Sequence, residues 1–224
     1  MLLSASSSVF ASTALSFSQR SLPSLGLKAA GTALGLNAST LTAAAQAQNR
    51  RPTPSQTEGP FYPVIEPKDA DFDLLKNGSL SYAKGQPSWV EGVVTDLEGK
   101  PLKGGVIEIW QCDEAGHYDH PRDGATIDPA FQGFGRVRLD ENGRFLFHTI
   151  KPVPYPGRTP HIHAKIKLGN RELLTTQFYV EGEPGNARDM VWRRLDAQDR
   201  AAVSSSFLAG KDGLRASYSI AVKA

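Results

Sequence analysis

Two histidines separated by one residue are the first feature of the chain that could do chemistry. His161 and His163 begin an apolar-alternating segment that predicts a β-strand, and residues two apart on a strand point to the same face. Both imidazoles would then project together, an arrangement that suits a bound iron, copper or zinc ion. Because a His-x-His pair is at least as often structural, the pair alone leaves the metal open.

Tyr155 precedes this pair in a loop braced by prolines. The run Lys151–Pro156 excludes a helix and restricts the backbone, so it determines where the phenol ring points. A phenolate is a hard anionic donor that favours ferric iron, since the charge of the metal lowers the tyrosine pKa from its usual value of about 10. A tyrosine that simply packs on the sheet would explain the same loop if no second donor were present.

Tyr118 supplies that second donor, because an apolar strand ends near Trp110 and a glycine turn then carries Tyr118 off the sheet edge. From about Thr57 to Pro184 the chain resembles the intradiol ring-cleavage dioxygenases, especially the protocatechuate 3,4-dioxygenase branch and its beta subunit. The segments that carry the resemblance, in chain order, are TEGPFYP, EIWQCDEAGHYDH, FQGFGR, TIKPVPYPGRTPHIH and TTQFYVEGEP.

The resemblance implies one ferric ion (Fe3+) per chain. Tyr118 and His161 would be its equatorial ligands. Tyr155 and His163 would be the axial ligands, with hydroxide as the fifth. Tyr155 would also be catalytic, because the incoming substrate displaces it and passes it a proton. The implied reaction cleaves a catechol, protocatechuate or a related substituted one, with O2 to a cis,cis-muconate and without an external reductant, in aromatic compound catabolism.

The resemblance assigns roles to two further residues. Arg158 matches an arginine that faces the bound substrate, where a cation would stabilise negative charge developing on the ring. Gln177 matches a glutamine beside the site. The loop that carries Arg158 is shorter than in typical members, and Gly157 stands where protocatechuate enzymes carry a tryptophan, so the pocket would admit larger catechols.

Other reactive residue types have structural interpretations. His117 and His120 flank Tyr118, but a site with four protein ligands leaves no room for a third imidazole, so we expect them beside the site or on the surface. His148 lies within a predicted strand, as a satisfied sheet residue. Arg136 would lie at the pocket rim or at a sheet edge. Cys112, the single cysteine, excludes an intramolecular disulfide and is expected to pack in a strand.

The elements that must position these residues read as an all-β protein. Segments rich in Val, Ile, Phe and Thr alternate with Gly, Asn and Asp turns, which predicts an antiparallel, prealbumin-like β-sandwich with long loops. The predicted hairpins join Trp89–Thr95 to Gly105–Gln111, Gly135–Leu139 to Arg144–His148, and His161–Leu168 to Leu173–Val180. A last strand covers Leu214–Val222, a short helical segment covers Arg188–Ser204, and Arg51–Pro67 is expected to lie over the sandwich as an extended arm.

Residues 1–48 differ in composition from the rest of the chain. They contain no acidic residue, are rich in Ser, Ala, Leu and Gly, and end in a small-residue pattern typical of a signal-peptidase site. They resemble a twin-arginine signal in which Gln19 replaces one arginine, which predicts a periplasmic or secreted protein. A disordered leader or an organelle transit peptide is the alternative, with the mature protein otherwise cytoplasmic. Residues 49–224 would then form the single dioxygenase domain.

The net charge of the chain argues against some classes of partner. The formal net charge is only +2, which does not favour nucleic acid or an acidic membrane. The expected partners are a small-molecule catechol, O2 and other subunits, either copies of this chain or a related one. Two alternatives stay open: a non-catalytic exported β-sandwich that binds a sugar or protein, and a secreted zinc or copper protein, although two tyrosinates are unusual ligands for either metal.

Overall fold

The computed structural model describes residues 50–224. The predicted leader, residues 1–48, lies outside the described residues, so the export signal and the domain boundary stay predictions. Among the described residues, no helix is long and apolar enough to cross a membrane.

Eleven strands, one 3-10 helix and two short α-helices make up this part of the chain. The strands are β1 (Lys76–Asn77), β2 (Leu80–Ser81), β3 (Pro87–Thr95), β4 (Val106–Trp110), β5 (Phe134–Arg138), β6 (Arg144–Ile150), β7 (His161–Leu168), β8 (Arg171–Val180), β9 (Ser204–Ser205), β10 (Leu208–Gly210) and β11 (Gly213–Ala221). The 3-10 helix covers Pro184–Arg188, and the α-helices are α1 (Met190–Arg193) and α2 (Ala197–Ala202). The helical segment predicted near residues 188–204 is thus confirmed.

Two sheets form the sandwich. One has the strand order β10-β11-β3-β6 and the other β5-β4-β7-β8-β9, while β1 and β2 form a separate hairpin. Most neighbours are antiparallel, but β11 runs parallel to β3, and β9 runs parallel to β8. The all-β sandwich predicted from the sequence is confirmed, and the predicted last strand is β11, which lies between β10 and β3.

The core lies between the sheets because alternate residues of each strand point inward. Buried side chains from both sheets meet there: Val90, Val94, Ile107, Ile109, Phe145, Phe147, Ile162, Ile166, Phe178 and Ile220. This packing makes the strand ends a stable support for the loops that carry the site.

Only one of the three predicted hairpins is correct. β7 and β8 pair directly and turn at Gly169-Asn170. The connections from β3 to β4 and from β5 to β6 instead cross from one sheet to the other. Both contain hydrogen-bonded turns, such as the bond from Gly143 N–H to the Asp140 carbonyl. Turn residues therefore predicted the chain reversal, but they cannot tell a hairpin from an arch between sheets.

The arm, defined here as residues 50–67, lies over the sandwich as expected. Thr53 N–H donates to the Ala221 carbonyl at 2.9 Å, on β11 of the first sheet. Gln56 N–H donates to the Thr175 carbonyl at 2.8 Å, on β8 of the second sheet. The arm thus bonds to both sheets without becoming a strand of either.

Candidate metal centre

The two histidines lie at the start of β7 and project to the same face. His161 is 1% exposed and His163 is fully buried. Their Nε2 atoms are 3.2 Å apart, while Ile162 between them points into the sandwich core. Strand alternation therefore produces the geometry expected from the sequence.

Burial keeps both imidazoles neutral, and a hydrogen bond determines which nitrogen of His161 can bind a metal. His161 Nδ1 lies 2.6 Å from the Thr159 carbonyl, which can only accept, so Nδ1 carries the proton and Nε2 carries a lone pair. Burial and, to a lesser extent, the nearby Arg158 charge together lower the pKa of His161 to about 3. Burial also lowers the pKa of His163 well below its usual value. Neutral imidazole is the form that binds metals.

Tyr118 projects from the loop after β4. The Asp113 carboxylate accepts hydrogen bonds from the backbone N–H groups of Ala115 and His117, and Gly116 takes a φ of 86°, so the turn that delivers Tyr118 is tightly held. The side chain is 2% exposed and its hydroxyl has no hydrogen-bond partner within residues 50–224. Burial raises the pKa of the phenol well above its usual value.

Tyr155 approaches from the proline-braced loop. Its ring centroid lies 5.5 Å from that of Tyr118 and 5.4 Å from that of His161. Its hydroxyl accepts a hydrogen bond from Arg158 Nη1 at 3.3 Å. Burial raises the pKa of Tyr155, while the Arg158 charge opposes that rise. All four residues predicted as ligands therefore lie together.

These four residues fit a metal ion better than they fit one another. If His163 donates from Nε2 to His161, its Nδ1 stays unpaired, and if it does not, two lone pairs face each other. The Tyr118 hydroxyl is also buried and unpaired. Unpaired buried polar groups are costly, and a cation held between the two Nε2 atoms and the two phenol oxygens would remove the lone-pair repulsion and satisfy the Tyr118 oxygen. Within residues 50–224, no three His, Cys, Asp or Glu side chains form another metal cluster.

Aromatic rings and the arm enclose the centre. Trp110 stacks on His163 with ring centroids 4.8 Å apart, and Phe61 of the arm stacks on Tyr118 at 4.6 Å. Gly59 has a φ of 74°, and a Cβ there would lie 3.2 Å from His163 Cε1. The TEGPFYP segment therefore closes one side of the site, a role that its position in the sequence alone did not predict.

A buried charge network fastens this part of the arm to the outer face of the second sheet. Glu108 on β4 is 1% exposed and accepts hydrogen bonds from the Tyr62 hydroxyl at 2.8 Å and from Arg136 Nε and Lys167 Nζ at 2.9 Å each. Lys165 on β7 pairs with Glu58 of the arm, and its Nζ lies 3.9 Å from the centroid of the Tyr62 ring. These contacts hold the arm where Gly59 and Phe61 reach the centre.

Arg158 and Gln177 lie beside the candidate ligands, and their roles stay predictions. Arg158 Nη2 donates to Gln177 Oε1 at 2.5 Å, and Gln177 pairs across the sheet with His163. Arg158 Nε donates to Asp189 Oδ2 at 2.8 Å. Sequence reasoning missed Asp189. The available signal was its position before Met190-Val191-Trp192, where an aspartate is a favoured helix N-cap.

The remaining candidates have structural partners. His117 Nδ1 lies 3.3 Å from Asp123, and His120 accepts a hydrogen bond from the backbone of Arg122. His148 pairs with Asp73 at 2.8 Å, and Arg136 belongs to the Glu108 network. Cys112 is buried as expected, but it lies two residues after the end of β4 and not in a strand; burial raises the pKa of its thiol to about 12 and makes it inert.

The fold and the site together define the class of protein: a β-sandwich whose candidate centre combines two histidines with two tyrosines at the strand ends. The model of the dioxygenase family matches residues 57–223. The chain therefore belongs to the intradiol ring-cleavage dioxygenase family, as its motifs predicted.

Individual relatives agree with this membership. The chain is 36% identical over 161 residues to the protocatechuate 3,4-dioxygenase beta chain of Burkholderia cepacia, covering 66% of this chain and 68% of the relative. It is 34% identical over 144 residues to hydroxyquinol 1,2-dioxygenase of Corynebacterium glutamicum, covering 56% of this chain but 45% of the relative. The chain spans about half the length of that hydroxyquinol enzyme and of other curated relatives that it matches.

A solved structure is similar along nearly its whole length. The dioxygenase domain of a dioxygenase and carbohydrate-binding protein fusion from Streptomyces sp. SirexAA-E has 32% sequence identity and a TM-score of 0.61. The match covers 76% of this chain and 97% of that domain.

Proposed function

We propose that this chain is a ferric-iron-dependent intradiol dioxygenase that cleaves a catechol with O2 to a cis,cis-muconate. The observation that carries the proposal is the convergence of Tyr118, Tyr155, His161 and His163 in one buried site with unpaired donor atoms. Two phenolates and two imidazoles suit hard ferric iron, because anionic oxygen donors offset its high charge. Iron is typical of the family, and these four ligands are our assignment for this chain.

The two tyrosines would have different roles beside the metal ion. The bound ferric ion would supply Lewis acidity that lowers the pKa of the catechol hydroxyls. Tyr155 is half-buried and hydrogen-bonded to Arg158, whereas Tyr118 is enclosed under Phe61. Tyr155 would therefore help to hold the metal and, as the more accessible of the two phenols, would accept a substrate proton at its Oη atom. Tyr118 stays fixed.

Arg158 and Gln177 complete the substrate side. The Arg158 guanidinium lies beside the Tyr155 hydroxyl, so it is placed to stabilise negative charge on a ring that binds next to Tyr155. Gln177 accepts from Arg158 and keeps the guanidinium plane turned toward the site. The aromatic and arm contacts exclude water from the ligands on the opposite side.

The substrate we propose is protocatechuate or a related substituted catechol. Relatives are named for protocatechuate, hydroxyquinol, 6-chlorohydroxyquinol and catechol, so the shared chemistry is an aromatic ring with adjacent hydroxyl groups. A Cβ at Gly157 would meet no atom of residues 50–224 within 4 Å, so this position next to Arg158 does not narrow the approach to the site. We also propose an oligomer, formed by copies of this chain or with a related subunit, and export directed by residues 1–48. Native mass and cell fractionation would test the last two proposals.

The direct test combines metal analysis with visible spectroscopy of the purified protein. We expect about one iron per chain and a broad tyrosinate-to-iron absorption band that shifts when a catechol is added without oxygen. Admission of O2 should then consume one O2 per ring cleaved. Tyr118→Phe and Tyr155→Phe should each change the band, whereas Tyr218→Phe, at a buried tyrosine away from the site, should not.

The same measurement separates the alternatives. A binding module would be colourless and would not consume O2. A zinc or copper protein would contain that metal instead of iron. Iron-replete protein without a visible band would contradict tyrosinate ligation.

A further inference from the structure

Asp189 makes contacts that exceed those of a helix cap. Its side chain is fully buried. One oxygen, Oδ1, accepts from the backbone N–H groups of Val191 at 2.8 Å and Trp192 at 3.0 Å and so caps α1. The other, Oδ2, accepts from Arg158 Nε at 2.8 Å and from the Thr159 backbone N–H at 3.0 Å. One carboxylate thus joins the helix to the loop of the metal centre.

We propose that Asp189 is a positioning residue that sets the plane of the Arg158 guanidinium beside the metal centre. This proposal rests on the proposed dioxygenase function. The Nε–H bond lies in the guanidinium plane, so the Asp189 carboxylate that accepts from it orients that plane. Gln177 accepts from Nη2 and holds the same plane at a second atom. Nη1 is then directed to the Tyr155 hydroxyl, which marks where the substrate would bind.

The chemistry of the pair favours a permanent contact. Burial alone would raise the pKa of Asp189, but the N–H groups of Trp192 and Thr159 and the Arg158 guanidinium together hold it below the usual value. The carboxylate therefore stays charged at neutral pH. Arg158 is also mostly buried, with 16% of its side chain exposed, so losing its partner would leave a poorly solvated cation free to turn.

The variant Asp189→Asn separates positioning from capping. Asparagine is as good an N-cap as aspartate, so its oxygen can still accept from Val191 and Trp192. Its amide nitrogen would then face two donors, Arg158 Nε and Thr159 N–H, and cannot accept from either. The matched control is Asp196→Asn, which changes the N-cap of α2, where the side chain accepts from Asp199 N–H. Asp189→Ser is a second variant, which keeps a cap and introduces no donating amide nitrogen.

Two measurements test the proposal. In the iron-loaded enzyme, Asp189→Asn should lower kcat/KM by about 10–100-fold, mainly through kcat, while the visible band is kept. Asp196→Asn should leave kcat/KM unchanged. In the metal-free protein, the NMR signal of the Arg158 Nε–H, identified by its loss in Arg158→Lys, should exchange with water about tenfold faster or more in Asp189→Asn and Asp189→Ser.

The outcomes are distinguishable from failure of the proposed function. If wild-type protein cleaves catechols and the Asp189 variants match it in kcat/KM, the positioning role is overturned. Unchanged exchange of the Arg158 Nε–H in both variants would overturn it as well. If wild-type protein cleaves no catechol but the exchange result is as expected, the link between Asp189 and Arg158 stands and the dioxygenase proposal fails.

Discussion

Removing the hydroxyl of Tyr118 should stabilise the metal-free protein while damaging the proposed metal site. The hydroxyl is buried and has no hydrogen-bond partner among the described residues. Leaving such a group unpaired costs about 1–3 kcal/mol. Tyr118→Phe keeps the ring and its stacking on Phe61, so we expect the free energy of unfolding of the metal-free protein to rise by about that amount.

The assay is denaturant and thermal unfolding of chelator-treated protein. For a domain of this size, a gain of about 1–3 kcal/mol raises Tm by roughly 2–12 °C. The matched control is Tyr218→Phe, because Tyr218 is equally buried, at 2% exposed, but its hydroxyl donates to the Tyr179 carbonyl at 3.1 Å. Losing that bond should destabilise the protein by about 1 kcal/mol.

The test depends on whether Tyr118→Phe raises or lowers the free energy of unfolding of the metal-free protein. With iron added, the variant should lose stability relative to wild type, because it binds the metal less tightly and gains less from it. A metal-free Tyr118→Phe protein that is no more stable than wild type would refute the reasoning that the hydroxyl is held unpaired for a metal.

Three further predictions concern the centre and its supports. Glu108→Gln should lower the free energy of unfolding by about 1–3 kcal/mol, measured by denaturant titration, since three donors lose a charged acceptor; no change would contradict a structural role for the network. The free energy of unfolding of the metal-free protein should fall as pH falls from about 6.5 toward 3, because the unfolded chain protonates His161 while the folded chain keeps it neutral. A free energy of unfolding that does not change across that pH window would contradict the buried, neutral state of His161. Gly59→Ala should lower both Tm and iron affinity, because Gly59 has a φ of 74° and an added Cβ would press on His163. The control is Gly78→Ala, since Gly78 has a φ of 60° but open space around it. Equal iron affinity in the two variants would argue against a role for the contact with His163.

The sequence predicted the strands from local patterns, and it predicted the full set of candidate ligands because local patterns and the family resemblance agree. Alternation puts His161 and His163 on one face, and prolines restrict the loop of Tyr155. The joining of strands into sheets was predicted less well, since the turns after β3 and β5 look the same whether the chain pairs back or crosses over. Long-range polar partners were missed altogether. Nothing near Glu108 or Asp189 in the sequence indicates that residues up to 59 positions away supply their hydrogen-bond partners.

The arm has a consequence for how the molecule is made. Its residues are synthesised early, yet they bond to strands that are synthesised late: Thr176 donates to the Pro54 carbonyl across 122 positions, and Ala221 N–H donates to Thr53 across 168. Contacts this distant in sequence form slowly and after local ones. We therefore expect arm docking to be the last step of folding, with β7, β8 and β11 already assembled. Until then His163 is uncovered on the side that Gly59 later occupies, and an ion can enter there before the chain closes over it.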